Sequence, residues 1–528
     1  MSQPDFFPVN ETAIMMRVGD RIDRSLTQRI AAVVKAVDAL ALVGVREIIP
    51  SYTTILIVYD HKVISDSTIE HALVTTWNAF QTGENTHIST TVVIPVIYGD
   101  EFGEDLQDVV SHHRFSPEEV ISRHVAGRYT VGALGFSPGF AYLIGLDPAL
   151  ETPRRIRPRT HVPAGSVAIG GAQTGIYPLE SPGGWNLIGR TPMTMFDPNR
   201  DDPFPLHLGD ELQFEQVAAR DVDPASFSRQ RNSEEDVDGQ VEVRAPGLQT
   251  TVQDLGRHGF GAFGFAPNGA ADRASLIAAN RAVGNPDHAA ALEITLTGPI
   301  LVFQRRTTIA VCGANLGALV NGLPLPPGRM QGVMPGDEVR FRGGPGQGAR
   351  AYLAIAGGIE VPLVMGSRST DLTAAIGGYH GRALRVGDRL PLGQLRRSSS
   401  ATPIPATRID RPATVEVVPG PQADWFPVEA WDLLLTQPFT ISPSSNRMGL
   451  RLEGPPILPV ETVDIISEGV VTGSIQVTGE GQPIVMLPGH ATIGGYAKIA
   501  TVIDADLDRL GQLGPGDILR FTSRYRTN

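Results

Sequence analysis

Residues 206–216 read LHLGDELQFEQ, and the step from a Gly-Asp turn into an alternating run sets the fold. Leu212 and Phe214 alternate with Glu211, Gln213 and Glu215, the period of a strand with one wet face. Gly209-Asp210 supplies turn chemistry just before it. The pattern recurs in VMPGDEVRFRG (333–343), LRVGDRLPLG (384–393) and LGPGDILRF (513–521). Two explanations stand together: four copies of a repeated β unit, or one favourable turn used four times. Both require a mainly β chain. The 58 Gly and 42 Pro punctuate short apolar runs such as TTVVIPVIYG, RTTIAVCGA, ARAYLAIAGG and QPIVMLPG, as barrel or sandwich domains do.

A chain of 528 residues exceeds one core and is expected to form about three or four compact units. Residues 1–92 differ from the rest. AIMMRV reads as a strand. SLTQRIAAVVKAVDALAL places Ile30, Val33, Val34, Val37 and Leu40 at helical spacing, with Ser25 positioned to cap it. VREIIPSYTTILIVYD reads as two strands, SDSTIEHALVTTWNAF as a second helix from a Ser/Asp cap, and STTVVIPVIY as a last strand. That order predicts a ferredoxin-like α+β unit. An all-β domain over 93–217 follows. The polar segment 218–240, AARDVDPASFSRQRNSEEDVDGQ, reads as a linker. A β domain over 241–395, a second polar break at 396–410 and a β domain over 411–528 complete the chain.

The net charge of -12 argues against a nucleic-acid-binding surface. Cys312 is the single cysteine, so no intrachain disulfide forms; its apolar neighbours predict a buried, inert thiol, and no metal site is expected. No window of about twenty apolar residues is present, and MSQPDFFPVNETA lacks a leader pattern, so a cytoplasmic, non-membrane location is expected. There is no GxxxxGK[ST] loop, no GxGxxG opening a βαβ unit, and no Met-Lys-Met biotin-carrier context; GFSPGF around Ser137 does not meet the GxSxG pattern.

Polar residues gather in Gly-rich segments instead. The first runs from His124 through LGFSPGFAYL (134–143), a loop carrying Phe136, Phe140 and Tyr142, to Trp185. Between them Arg154, Arg155, Arg157 and Arg159 are either carboxylate- or phosphate-binding forks or structural ion pairs. The second, at 250–285, holds Asp254, Arg257 and His258 in a turn, and Asp272 at a helix start that favours anions. The third spans 444–502 and holds Asn446, Arg447, Glu468, Gln476, His490, Tyr496 and Lys498, the last one of three lysines. Several ionisable groups among small residues can serve a ligand site or a structural network.

These segments resemble a known family. RHVAGRYTVGALGFSPGFAYLIGLDPALETPRR and VPAGSVAIGGAQTGIYPLESPGGWNLIGRTP resemble the allophanate-hydrolase subunit 1 family, which includes the B component of 5-oxoprolinase and a sporulation-kinase inhibitor. TTVQDLGRHG, GAADRASLIAANRAVGN, LEITLTGP, GSRSTD, SNRMGLRLEG, SEGVVTGSIQV and GGYAKIATVIDADLDRLGQLGPGD resemble the partner family, allophanate-hydrolase subunit 2 or the C component of 5-oxoprolinase. The order is that of a fusion of the two, the pair that also forms the carboxyltransferase portion of urea carboxylase.

The resemblance implies cyclophilin-like β-barrels in tandem behind the α+β unit, with a pocket between the halves. It implies the fused B/C component of an ATP-dependent 5-oxoprolinase, which works with a separate A-type protein to open 5-oxoproline to glutamate. A biotin-dependent carboxyltransferase served by biotin on a separate carrier, and a kinase-inhibitor-like binding protein, are its alternatives. A homo-oligomer is compatible with each. Lys498 and Arg447 are expected to stabilise charge, and Glu468 or His490 to move protons. Tyr496, Asn446, Gln476, His124, Phe136, Phe140, Tyr142, Asp254 and Arg257 are expected to contact substrate. PGHATIGGY departs from the family, with Gly489 and Ala491 where an Asp and a Gln are expected; if that carboxylate is needed as a base, this chain must use another group, His490 or Glu468, or must have changed substrate.

Overall fold

The structure, a computed structural model, describes residues 4–80, 91–227, 239–343, 348–394, 410–461 and 464–524. The predicted mainly β architecture with an α+β start is present. Much of the 218–240 segment and nearly all of 396–410 lie outside the described residues. Among the described residues no helix is long and apolar enough to cross a membrane.

The N-terminal unit is an antiparallel four-stranded sheet in the order Asp5–Asn10, Ala13–Arg17, Thr54–Tyr59, Val45–Pro50. Helices Arg24–Ala39 and Asp66–Ala79 cover it, the first burying Ile30, Val33 and Val37 as their spacing indicates. Two corrections apply. The helix cap is Asp23, which accepts from Leu26 N–H at 2.9 Å, whereas Ser25 donates to Asp23. The unit is also not the ferredoxin-like arrangement, because Thr91–Tyr98 lies in the following barrel, across the expected 92/93 boundary. Its place beside Ala13–Arg17 is taken by Asp5–Asn10. Pro8 disguises that strand in the sequence, but an edge strand tolerates a missing donor.

Two closed seven-stranded barrels follow the same plan. The first uses Thr91–Tyr98, Tyr129–Leu134, Ala141–Ile144, Ser166–Gly170, Gln173–Ile176, Asn186–Arg190 and Glu211–Gln216. The second uses Ala413–Pro419, Phe439–Ile441, Gly449–Glu453, Ser474–Val477, Pro483–Met486, Lys498–Val502 and Ile518–Ser523. Numbered along the chain, both close in the cyclic order 1-6-4-5-3-2-7, and in both the seventh strand pairs parallel with the first. Each also carries a two-stranded flap, Arg159–Val162 with Ser181–Gly183 and Asp464–Gly469 with Ile493–Tyr496. Between the barrels, two antiparallel sheets share a core that includes Val243, Leu292, Ile309 and Leu353. Cys312 lies buried under the adjacent helix Arg273–Ala282, and burial pushes its thiol up to about 11, in keeping with an inert role.

The four Gly-Asp turns share one geometry. Gly209, Gly336, Gly387 and Gly516 have φ between +83° and +91°, which favours glycine. Asp210, Asp337, Asp388 and Asp517 each accept the N–H three residues back, at 2.8, 2.8, 2.7 and 2.9 Å. Two of them precede the seventh strands of the twin barrels, and two serve the sheets between. Both explanations of the repeat therefore hold, each for one pair.

Candidate functional site

The flap Asp464–Gly469/Ile493–Tyr496 of the second barrel lies against the N-terminal half. Ser51 Oγ donates to the Ser467 carbonyl, and Gly469 sits where a Cβ would lie 2.6 Å from Leu56. Gly135 is equally constrained, since a Cβ there would come 2.2 Å from Ile493. Val9, Met15, Tyr52, Leu56, Ala133, Val471 and Ile493 form one buried cluster drawn from both halves. Next to it the flap delivers Glu468 to the seam.

Glu468 organises the polar groups there. Its Oε1 lies 2.8 Å from Lys498 Nζ and accepts from Gln422 Nε2 at 2.6 Å. Its Oε2 faces Arg17 Nη2 of the N-terminal sheet at 3.5 Å. Burial pushes the Glu468 carboxyl up, but Lys498, Gln422 and Arg17 outweigh it and hold the group below the ordinary carboxylate range. Glu468 is thus ionised at neutral pH. Lys498, on the sixth strand, is fully buried. Gln422 fixes it from the main chain, its Oε1 accepting from Lys498 N–H at 3.0 Å. Gln476 is the cross-strand neighbour of Lys498, and its buried Nε2 has no hydrogen-bond partner among the described residues. Gly494 makes room for it, because a Cβ there would fall 2.5 Å from that nitrogen. Lys498 Nζ finds no acceptor besides Glu468 among the described residues. Two adjacent buried side chains therefore hold N–H donors in reserve, which suits a carbonyl or anionic oxygen.

Phe136 follows Gly135, the residue that abuts Ile493 of this flap. It has φ +67°, rare for a bulky residue, and its side chain is exposed. Phe140 is buried against Tyr177 and Trp185 at 4.9 and 5.5 Å and meets the Phe136 ring edge-on at 5.6 Å, while Tyr142 packs on Phe140 at 4.7 Å and against the buried cluster of the seam. Tyr496, at the end of the flap, is also exposed.

The remaining predicted residues lie in structural settings. His124 is inside the first barrel, bonded to Tyr98 Oη and Thr174 Oγ1 at 2.8 and 2.9 Å, and burial lowers it to about 3. Asp254 accepts from Ser367 Oγ, Ser369 Oγ and two backbone N–H groups, and Arg257 donates to the carbonyls of Val364 and Ser369. Arg447 pairs with buried Glu293 and donates to the Gly269 carbonyl, clasping the second barrel to the domain before it. Asn446 makes a local turn by accepting from Met448 N–H at 2.8 Å. His490 is lowered to about 4 by burial; its Nδ1 donates to the Ala491 carbonyl, and Nε2 has no partner among the described residues. Asp272 fills its own helix N-terminus by accepting from Ser275 N–H at 2.9 Å. Arg155 and Arg159 prove to be ion-pair partners of Asp105.

Sequence reading passed over Gln422 and Arg17. Gln422 follows a strand in the loop PGPQ, and Arg17 is the one charge in AIMMRV. Neither position announces its partner, which lies 46 residues away for Gln422 and 451 for Arg17. A surface depression lined by Gly247, Ile300, Leu319 and Arg340 lies on the middle sheets and contains none of the predicted site residues.

Comparison with known proteins agrees with the twofold organisation. Residues 4–206 match the family model "Carboxyltransferase domain, subdomain C and D", and residues 263–523 match "Carboxyltransferase domain, subdomain A and B". The chain is 39% identical over 279 residues to the C component of Escherichia coli 5-oxoprolinase, covering 53% of this chain and 89% of that one. It is 35% identical over 226 residues to the B component of Bacillus subtilis 5-oxoprolinase, covering 40% and 92%. The crystal structure of TTHA0988 superposes with a TM-score of 0.85 at 36% identity, covering 97% of this chain and 99% of that chain.

Proposed function

Because the chain belongs to the carboxyltransferase-domain family, as a B-type half fused to a C-type half, we propose that it is the B/C component of a 5-oxoprolinase. In this reading it acts with a separate A-type protein to open 5-oxoproline to glutamate. The observation that carries it is the reserve of donors on Lys498 and Gln476 beside ionised Glu468, at a seam built by both halves.

A lactam is a poor electrophile until its carbonyl oxygen gains positive partners or a phosphoryl group. Lys498 Nζ and Gln476 Nε2 bind that oxygen and oppose the charge it develops. Glu468 accepts a proton from the attacking water and passes it to the lactam nitrogen as the C–N bond breaks and the amine of glutamate is freed, and Gln422 keeps Glu468 and Lys498 in register. Phe136 covers one side and excludes bulk water. ATP supplies the phosphoryl group for such an opening. The seam donors suit a single oxygen, while the Glu468 carboxylate among them disfavours a triphosphate, so ATP is assigned to the A-type protein.

The test is glutamate release from ATP and 5-oxoproline, by this chain with and without an A-type protein. Glutamate should form only in the mixture, and Lys498→Ala should lower the rate by about 100-fold or more. The family models' own description favours a second reading, carboxyl transfer from biotin on a separate carrier, whose ureido oxygen would meet the same donors. No glutamate from the mixture, with exchange of labelled carboxyl groups on biotin, would select it.

A further inference from the structure

Arg17 is the charge at the seam whose bonding is least complete. A guanidinium carries five N–H donors in a rigid fork. Arg17 makes one polar contact among the described residues, the 3.5 Å approach to Glu468, and its plane lies 4.5 Å over the Phe7 ring. Its side chain keeps 28% exposure, whereas those of Glu468 and Lys498 keep 5% and 0%. In the first barrel, by contrast, Arg159 spends two N–H groups on Asp105 at 2.7 Å each. Charge counting points the same way. Glu468 is already matched by Lys498, so Arg17 leaves the trio with one surplus positive charge. A surplus cation at a partly exposed edge of the seam favours a singly charged anionic ligand over a neutral one.

We propose that Arg17 is a specificity-determining residue that binds the carboxylate of the substrate, while Lys498 and Gln476 take its amide oxygen. The proposal rests on the 5-oxoprolinase reading of the site. The B-type half would then select the substrate's acid group and the C-type half would hold its lactam. A neutral amide lacking the carboxylate would forgo the Arg17 contact. The Phe7 stack keeps the fork in place, and movement away from the long Glu468 contact costs little.

The test uses the full chain, alone and mixed with an A-type protein, and compares binding of 5-oxoproline with 2-pyrrolidinone, the same lactam without its carboxylate. Titration calorimetry should show the wild type preferring 5-oxoproline by about 10- to 100-fold. Arg17→Gln should lose most of that preference while binding 2-pyrrolidinone as before, and Arg17→Lys should retain part of it. Unchanged melting temperatures would exclude misfolding. Equal wild-type binding of the two lactams, or a preference that survives in Arg17→Gln, would overturn the role of Arg17 and leave the 5-oxoprolinase reading standing. Binding of neither lactam, alone or in the mixture, would overturn both.

Discussion

Lys498 and Glu468 form a buried pair whose members depend on each other. Removing one leaves the other charge without its partner in a poorly solvated place. Lys498→Met should therefore cost about 3–5 kcal/mol of stability in urea unfolding, and Lys498→Met/Glu468→Gln should recover part of it. Equal losses in the single and double variants would mean that the pair is not coupled. Two histidines set a pH limit. His124 and His490 are lowered by burial to about 3 and 4, so the folded chain refuses protons that the unfolded chain binds below about pH 6.5. Stability should fall as the pH drops from about 6.5 toward 4, by about 1.4 kcal/mol per pH unit for each histidine. His124→Gln should flatten the measured slope by one histidine's share. At this scale the sequence was partly legible. Lys498 and Glu468 stood out as charges among small residues, whereas Arg447 stood out equally and proved to clasp two domains. Residue type and spacing cannot separate these cases, because a charge's partner is a matter of tertiary contact.

The twin barrels show why one of them holds the candidate site. Asp105 follows the first strand of the first barrel, donating N–H to the Leu187 carbonyl at 2.9 Å and accepting from Leu187 N–H at 2.8 Å. Gln422 makes the same exchange with Lys498 in the second barrel, at 3.3 and 3.0 Å. The flap residue that completes each set is Arg159 in the first and Glu468 in the second. In the first barrel arginines satisfy the acid and Leu187 offers no polar atom. In the second an amide and an ammonium occupy those positions, and donors remain. The Gly-Asp turns invite a direct test. A Cβ at Gly516 would meet no atom within 4 Å, so Gly516→Ala should cost only the left-handed strain, about 1–2 kcal/mol in thermal unfolding. Gly209→Ala should cost more, since its Cβ would lie 2.7 Å from Ala31 Cβ. The turns were legible because glycine and aspartate act locally. The exchange of Asp5–Asn10 for Thr91–Tyr98 at the sheet edge was not, because strand partners are chosen by register and packing.

The whole molecule is two halves joined along a seam that is partly polar. Glu47, nearly fully buried, accepts from Gly259 N–H and Gly261 N–H at 2.7 and 2.9 Å, tying the N-terminal sheet to a loop of the C-terminal half. Phe263 of that loop stacks on Phe204 at 4.4 Å, and its carbonyl accepts from Gly139 N–H at 2.7 Å. Glu47→Ala strands two N–H groups and should destabilise the chain by about 2–4 kcal/mol, with a matching fall in 5-oxoproline turnover at temperatures where the seam opens. Full stability in that variant would assign the seam to apolar packing alone. The most direct measurement is the structure of the chain with 5-oxoproline bound. The lactam should lie at the seam near Phe136, with its carbonyl oxygen within hydrogen-bond distance of Lys498 Nζ and Gln476 Nε2. A ligand held wholly within one half, away from the Glu468 flap, would contradict it.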